Sequence, residues 1–184
     1  MRKAGIRDSG FGIRKARTAD ARAILDLERH FPSDRMSLRS VRRFIASPSA
    51  RVWVAAATNP ESRIPKRLAR VPASLALPDD VRPNPDLGGA LILMTRRGSR
   101  TARIYSLVVG PEGRGRGLGS ALVERAERAA RRLGCAALSL EVRADNAAAR
   151  ALYARRGYAD ERALPGFYDD GADGLKLRKV LNRR

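Results

Sequence analysis

Apolar and polar positions along this chain follow two periods, and the places where one gives way to the other divide it into elements. Phe11 to Ala16 reads as a short strand. From about Ala21 to His30, Ile24, Leu25 and Leu27, with Glu28 beside them, mark one face of a helix that Thr18 or Asp20 can cap. Phe31-Pro32-Ser33-Asp34 interrupts it, and Ser37 then caps a second helix carrying Leu38, Val41, Phe44 and Ile45 at helical spacing. Pro48 closes that helix, and Arg51 to Ala57 is a strand. Gly89 to Thr95 and Thr101 to Val109 are two strands around an Arg97-Gly98-Ser99 turn, the pattern of an antiparallel hairpin. A long helix follows, with Leu118, Leu122, Ala126, Ala129 and Leu133 on one side, and with Glu124–Arg128 and Glu127–Arg131 spaced as surface pairs on the other. Gly134 is its natural stop. Ala136 to Arg143 alternates strictly, with Leu138, Leu140 and Val142 against Ser139, Glu141 and Arg143. Asn146 caps a short helix from Ala147 to Arg156, and two strands, Tyr158 to Leu164 and Gly174 to Val180, complete the chain.

Residues 58 to 87 break the pattern. Pro60, Pro65, Pro72, Pro78, Pro83 and Pro85 punctuate a stretch with little periodicity. It reads as an irregular insertion between two strands, too short for a second domain. The expected organisation is one domain over residues 1–184, with a loose basic lead-in at 1–10.

The richest chemistry lies where the apolar run Ile104 to Val109 meets the long helix. Gly110-Pro111 ends the run, and glycines then alternate at 113, 115, 117 and 119, with Arg114 and Arg116 between them. Glycine lets a ligand approach the backbone N–H groups, and the start of a helix adds unpaired donors and a positive dipole end. Two guanidinium groups complete an anion site suited to phosphate or pyrophosphate. The spacing is not the dinucleotide-binding G-x-G-x-x-G, and no lysine supplies a nucleoside-triphosphate loop.

Arg114, Gly117 and Gly119 do fit Arg-x-x-Gly-x-Gly. With the strand before and the helix after, this resembles the acetyl-CoA pyrophosphate loop of the GNAT superfamily of N-acetyltransferases. The element order β-α-α-β-β-β-α-β-α-β-β resembles the same family over about residues 11 to 181. The fold class it implies is α/β (α+β), a mixed central sheet of about seven strands flanked by about four helices. The run LSLEVRADNAAARALYARRGY resembles the RimI-like branch, whose members acetylate protein N-termini such as those of ribosomal proteins. The Pro-rich insertion departs from the family pattern, and the tail FYDDGADGLKLRK is only loosely similar to that branch.

The resemblance implies acetyl-CoA as co-substrate, no metal, and roles for particular residues. Leu107, Val108 and Val109 would offer backbone groups to the pantetheine arm, with the Val109 N–H as oxyanion donor. Arg114, Gly115, Arg116, Gly117, Leu118, Gly119 and Ser120 would hold the pyrophosphate. Asn146 matches a pantetheine contact, Tyr153 the general acid, and Glu141 the general base. The loops Phe31–Arg35 and Phe167–Asp170 would border the acceptor groove. There Phe31, Phe167 and Tyr168 could stack on a side chain, and Asp34, Asp169 or Asp170 could hold a cationic amine.

Charge and composition narrow the partners. The net charge is +19, and of 38 basic residues five are lysine and the other 33 arginine. Such a field attracts polyanions, CoA and RNA among them, although arginine-rich coding composition is an equal cause. The charge is spread along the chain rather than gathered in one arm. Cys135 is the single cysteine and sits in an apolar setting, which excludes a disulfide framework within the chain and favours a small buried residue. No apolar leader or membrane-length run is visible, so a cytoplasmic protein is expected, as monomer or homodimer.

Three functions compete on these grounds: a protein N-terminal acetyltransferase, an acetyltransferase for small amines such as polyamines, amino acids or antibiotics, and an RNA- or ribosome-binding module without catalysis. At pH 7, freeing an α-amine of pKa about 8 costs about 1.4 kcal/mol, against about 4.6 for a lysine. One carboxylate base suits the smaller task, which favours the N-terminal amine.

Overall fold

A computed structural model describes residues 10–29, 36–58 and 87–181. The elements are β1 (Phe11–Lys15), α1 (Ala21–Glu28), α2 (Leu38–Ala46), β2 (Ala50–Ala57), β3 (Leu87–Met94), β4 (Thr101–Val109), α3 (Leu118–Arg132), β5 (Ala137–Arg143), α4 (Ala147–Arg155), β6 (Ala159–Leu164) and β7 (Gly174–Val180). Their order matches the order expected from the hydrophobic pattern. Almost all of the Pro-rich stretch, together with His30, Phe31 and Asp34, lies outside the described residues.

The strands form one seven-stranded sheet in the order β1-β2-β3-β4-β5-β7-β6. Only β4 and β5 run parallel, as a strand–helix–strand crossover requires. Alternation along β3 assigns the two faces. Ala90 and Ile92 pack with Ile24 and Leu27 of α1 and Val41 and Phe44 of α2. Leu91 and Leu93 pack on the other face with Leu122, Val123 and Ala126 of α3 and Tyr153 of α4. The sheet is therefore covered on both sides, which is why β2 and β3 are almost wholly apolar.

Local signals account for the helix ends. The Ser37 hydroxyl accepts from the Ser40 N–H at 3.1 Å, and Asn146 Oδ1 accepts from the Ala149 N–H at 3.0 Å. Asp20 behaves differently from the cap expected of it. It is buried, receives two hydrogen bonds from Arg14 at 2.7 and 2.8 Å, and accepts from the Arg17 N–H at 2.6 Å. Burial alone would raise its pKa, but these donors outweigh burial and hold the carboxyl below the usual range.

Two details of α3 differ from expectation. Leu133 is 47% exposed, because α3 ends at Arg132 and Leu133 falls at its C-cap. Glu127 is buried and pairs not with Arg131 but with Arg156 at 2.8 Å and Lys179 at 2.9 Å. The inward face of α3 is turned toward Val123, Ala126 and Ala130, which carries Glu127 inside with them. Glu124–Arg128 forms the expected surface pair at 2.7 Å. Cys135 is buried within the core, and burial pushes its thiol up, as suits an unreactive residue.

Candidate active site

The parallel pairing of β4 with β5 is short. It runs from Thr101–Ala137 to Arg103–Ser139, after which no pairing continues. Beyond that point β4 bulges at Tyr105, where the β3–β4 register skips from Ile104 to Ser106. A bulge bends and twists its strand, so β4 parts from β5 and a cleft opens between them. The cleft holds a cavity of about 530 Å³. Its walls come from β4 (Ile104 to Val108), β5 (Leu140 to Arg143) and α4 with its cap (Asn146, Tyr153), with Glu28 and Tyr168 at the sides.

The splayed edge of β4 has a definite polarity. The Gly110 N–H donates to the Gly88 carbonyl at 3.0 Å, so Gly110 and Val108 turn their backbone groups toward β3. Val109 and Leu107 then turn theirs to the opposite edge, into the opening. Arg114 Nε approaches the Val109 carbonyl at 3.4 Å from that side. Val108 contributes a buried side chain to the cavity wall, while its backbone groups belong to the sheet.

At the end of β4 the chain makes a one-turn 3₁₀ segment, Pro111–Gly113, and enters α3. Gly113 is a packing glycine: a Cβ there would run into the Gly88 carbonyl oxygen and the Leu118 side chain. Gly117 is the N-cap of α3 at φ +73°, a left-handed conformation costly for any residue with a Cβ, and no side chain caps the helix there. The first N–H bonded within the helix is that of Ala121, to the Gly117 carbonyl at 3.1 Å. The Leu118, Gly119 and Ser120 N–H groups therefore form the open end of α3. Leu118 offers only its backbone, because its side chain is fully buried. The Ser120 hydroxyl accepts from Arg156 at 3.2 Å. Gly115, at φ +71°, and the exposed Arg114 and Arg116 stand in front of this helix end. Oriented N–H donors, a positive dipole end and two guanidinium groups fit a pyrophosphate.

The two acid–base candidates share the cleft. Glu141 lies two residues past the last parallel pair, with its side chain 15% exposed, and receives a 2.7 Å hydrogen bond from Arg103 Nε. Tyr153 is buried, packs edge-on against Tyr158 with ring centroids 5.4 Å apart, and lines the same cavity. Burial, with Tyr168 nearby, pushes its phenol well above the ordinary value, so it holds its proton throughout the neutral range. The Asn146 oxygen is committed to capping α4, which leaves its amide NH₂ as the donor facing the cavity.

The acceptor-side residues divide. Tyr168 lines the cavity, with Arg143 over its ring at 5.2 Å. Phe167 is 44% exposed and is not among the cavity-lining residues; it packs on Tyr168 and over Gly174. Asp170 is bound to Arg143 at 2.7 Å, and Arg143 also holds Asp145 at 3.1 Å. Sequence reasoning missed two carboxylates of the cleft: Asp145, held by Arg143, and Glu28 at the end of α1, which accepts a hydrogen bond from the Ser106 hydroxyl. A charged residue flanking an apolar helical face was the only signal available for Glu28.

An open helix N-terminus thus stands beside a split between parallel strands, with a buried phenol and a carboxylate in the split. Residues 74–158, a little under half of the chain, match the model of the family described as "Acetyltransferase (GNAT) family". An uncharacterized N-acetyltransferase of Methanocaldococcus jannaschii is 42% identical over 77 residues, 41% of this chain and 49% of that protein. The N-alpha-acetyltransferase MAK3 of Arabidopsis thaliana is 40% identical over 78 residues, 42% of this chain and 41% of that protein. The chain thus spans about half the length, or less, of the curated relatives it matches. The crystal structure of the ribosomal-protein-S18-alanine N-acetyltransferase of Escherichia coli shares the fold at a TM-score of 0.71 with 20% identity, covering 95% of this chain and 96% of that one.

Proposed function

We propose that this protein transfers an acetyl group from acetyl-CoA to the N-terminal α-amine of a protein, by direct attack with donor and acceptor bound together. The observation that carries the reading is the early end of the β4–β5 pairing, which leaves a cleft containing Glu141 and Tyr153 at the mouth of an uncapped helix. The pyrophosphate rests on the α3 N–H groups and Arg114 and Arg116. The pantetheine arm runs along Leu107 and Val109 in the manner of an added strand. The Val109 N–H donates to the acetyl oxygen as negative charge develops there. Glu141, held by Arg103, takes a proton from the attacking amine, directly or through a water, and Tyr153 gives its proton to the departing thiolate. The branch resemblance and the N-alpha-acetyltransferase relative support an α-amine acceptor.

The test supplies isotopically labelled acetyl-CoA to the purified protein with a panel of free-N-terminus peptides, polyamines, and peptides whose only amine is a lysine side chain. Label on the α-amines is the expected result. Label confined to polyamines or lysine side chains would retain the enzyme class and overturn the acceptor. CoA binding with no transfer to any of them would favour a binding role.

A further inference from the structure

Acidic residues are missing from three separate stretches, 35–60, 87–111 and 128–140, while arginine recurs through all three and lysine appears in none. The fold brings the middles of these stretches together. The C-terminal half of α2 carries Arg42 and Arg43, the β3–β4 turn carries Arg96, Arg97 and Arg100, and the last turn of α3 carries Arg131 and Arg132. All seven are exposed. Between them lies a shallow groove of about 520 Å³, walled by the Pro48–Ser49 turn, the hairpin from Thr95 to Ser99, and Leu133 with Cys135. Among the described residues, none that line it is acidic. The walls are tied together by backbone: Thr95 N–H donates to the Ser49 carbonyl at 2.8 Å, and Ala136 N–H to the Arg100 carbonyl at 2.7 Å.

Elsewhere in the fold, beside exposed arginines such as Arg22, Arg155 and Arg162, several basic groups are answered by carboxylates. Arg14 meets Asp20, Arg103 meets Glu141, Arg143 meets Asp145 and Asp170, and Arg156 and Lys179 meet Glu127. At the groove, among the described residues, none of the seven arginines makes an ion pair. The helix ends answer part of this charge, since each C-terminus carries about half a negative charge. The hairpin arginines have no helix to answer, and the sum stays strongly positive.

We propose that this end of the sheet is a docking face for the phosphodiester backbone of RNA. Guanidinium groups grip phosphate with paired N–H donors and stack on bases with their flat faces, and here every cation is arginine. A lipid surface would ask for several exposed apolar side chains, whereas among the described residues Leu133 is the one large exposed apolar side chain at the groove. The face lies at the C-terminal end of α3 and the catalytic cleft at its N-terminal end. Fifteen helical residues separate them by about 22 Å. RNA held here leaves the cleft open, so the protein can act while tethered. The inference does not depend on the acetyl-transfer reading.

The experiment follows the fluorescence anisotropy of a labelled oligouridine RNA of about 20 nucleotides, titrated with the full chain across a range of salt. The chain binds, and log K falls with log salt. Replacing Arg96→Gln, Arg97→Gln and Arg100→Gln together weakens binding about tenfold or more and lowers the slope by about 2, that is, about 0.7 for each phosphate no longer neutralised. Arg97→Gln alone lowers it by about 0.7. A control that removes the same charge elsewhere, Arg22→Gln, Arg155→Gln and Arg162→Gln, changes both far less. Saturating CoA leaves the RNA bound. The proposal falls if RNA fails to bind at low salt, if the control weakens binding as much as the hairpin variant, or if CoA displaces the RNA. It falls equally if polyglutamate or anionic vesicles bind as tightly with the same dependence on the hairpin.

Discussion

Tyr153 carries its hydroxyl on a ring that is already part of the core, so removing the oxygen separates chemistry from packing. Tyr153→Phe should lower kcat about 100-fold or more with little change in the KM for acetyl-CoA and a melting temperature close to that of the parent. Steady-state kinetics and a thermal melt check both. Because burial raises the phenol, its deprotonation lies above the ordinary value of about 10. With a peptide acceptor, kcat/KM should therefore rise as the α-amine loses its proton near pH 8 and hold a plateau past pH 10. An alkaline fall centred at or below pH 10 would count against Tyr153 as the acid. Gly117 offers a second separation. Gly117→Ala forces a Cβ into a left-handed position that costs about 1–2 kcal/mol. It should raise the KM for acetyl-CoA several-fold while leaving the acceptor KM near its parent value. The Gly117 requirement was legible in the sequence, since a glycine between a strand and a helix is a local signal. The role of Gly113 was read wrongly from the same signal: a ligand approaching the backbone and another strand approaching it look alike until the fold is known.

At the level of elements, α3 and α4 are joined through charge as well as apolar contact. Glu127 of α3 is held by Arg156, which follows α4, and by Lys179 of β7, and Arg156 also reaches Ser120 in the first turn of α3. Burial pushes the Glu127 carboxyl up, but the two cations outweigh it and the pKa lies below the usual range. A carboxyl with a depressed pKa stabilises the fold above its unfolded value, about 4.3, and loses that contribution as pH falls through its folded value. Glu127→Gln should thus cost about 3 kcal/mol at neutral pH, and the gap to the parent should narrow in acid. Melts at pH 7 and pH 4 test this; a constant gap would show that the ionised carboxylate is not what matters. These partners stand 29 and 52 residues from Glu127, which is why sequence suggested the nearer Arg131 instead. The elements themselves were readable because period, caps and glycine stops act within a few residues. The cleft was not, because it depends on how far two strands stay paired.

In the whole molecule, the sheet has two parts of different construction. Strands β1 to β4 form an antiparallel meander, and β5, β7 and β6 form another antiparallel group. Three residue pairs, Thr101–Ala137 to Arg103–Ser139, are all that zip the two together within the sheet. A seam that short is a line of mechanical weakness, and α3 spans it like a brace. The two parts should therefore open as separate cooperative units, with amides of β5 and β7 exchanging hydrogen at a different rate from those of β2 and β3. Acetyl-CoA wedged along the free edge of β4 would act as a splint, stabilising both parts by RT ln(1 + [L]/Kd) and drawing their exchange rates together. Hydrogen exchange with and without acetyl-CoA reads this directly, and equal rates in its absence would mean that the seam is no weaker than the rest of the sheet. The opening proposed to admit the donor is also where the fold is least sewn, so the protein would be at its sturdiest only when loaded.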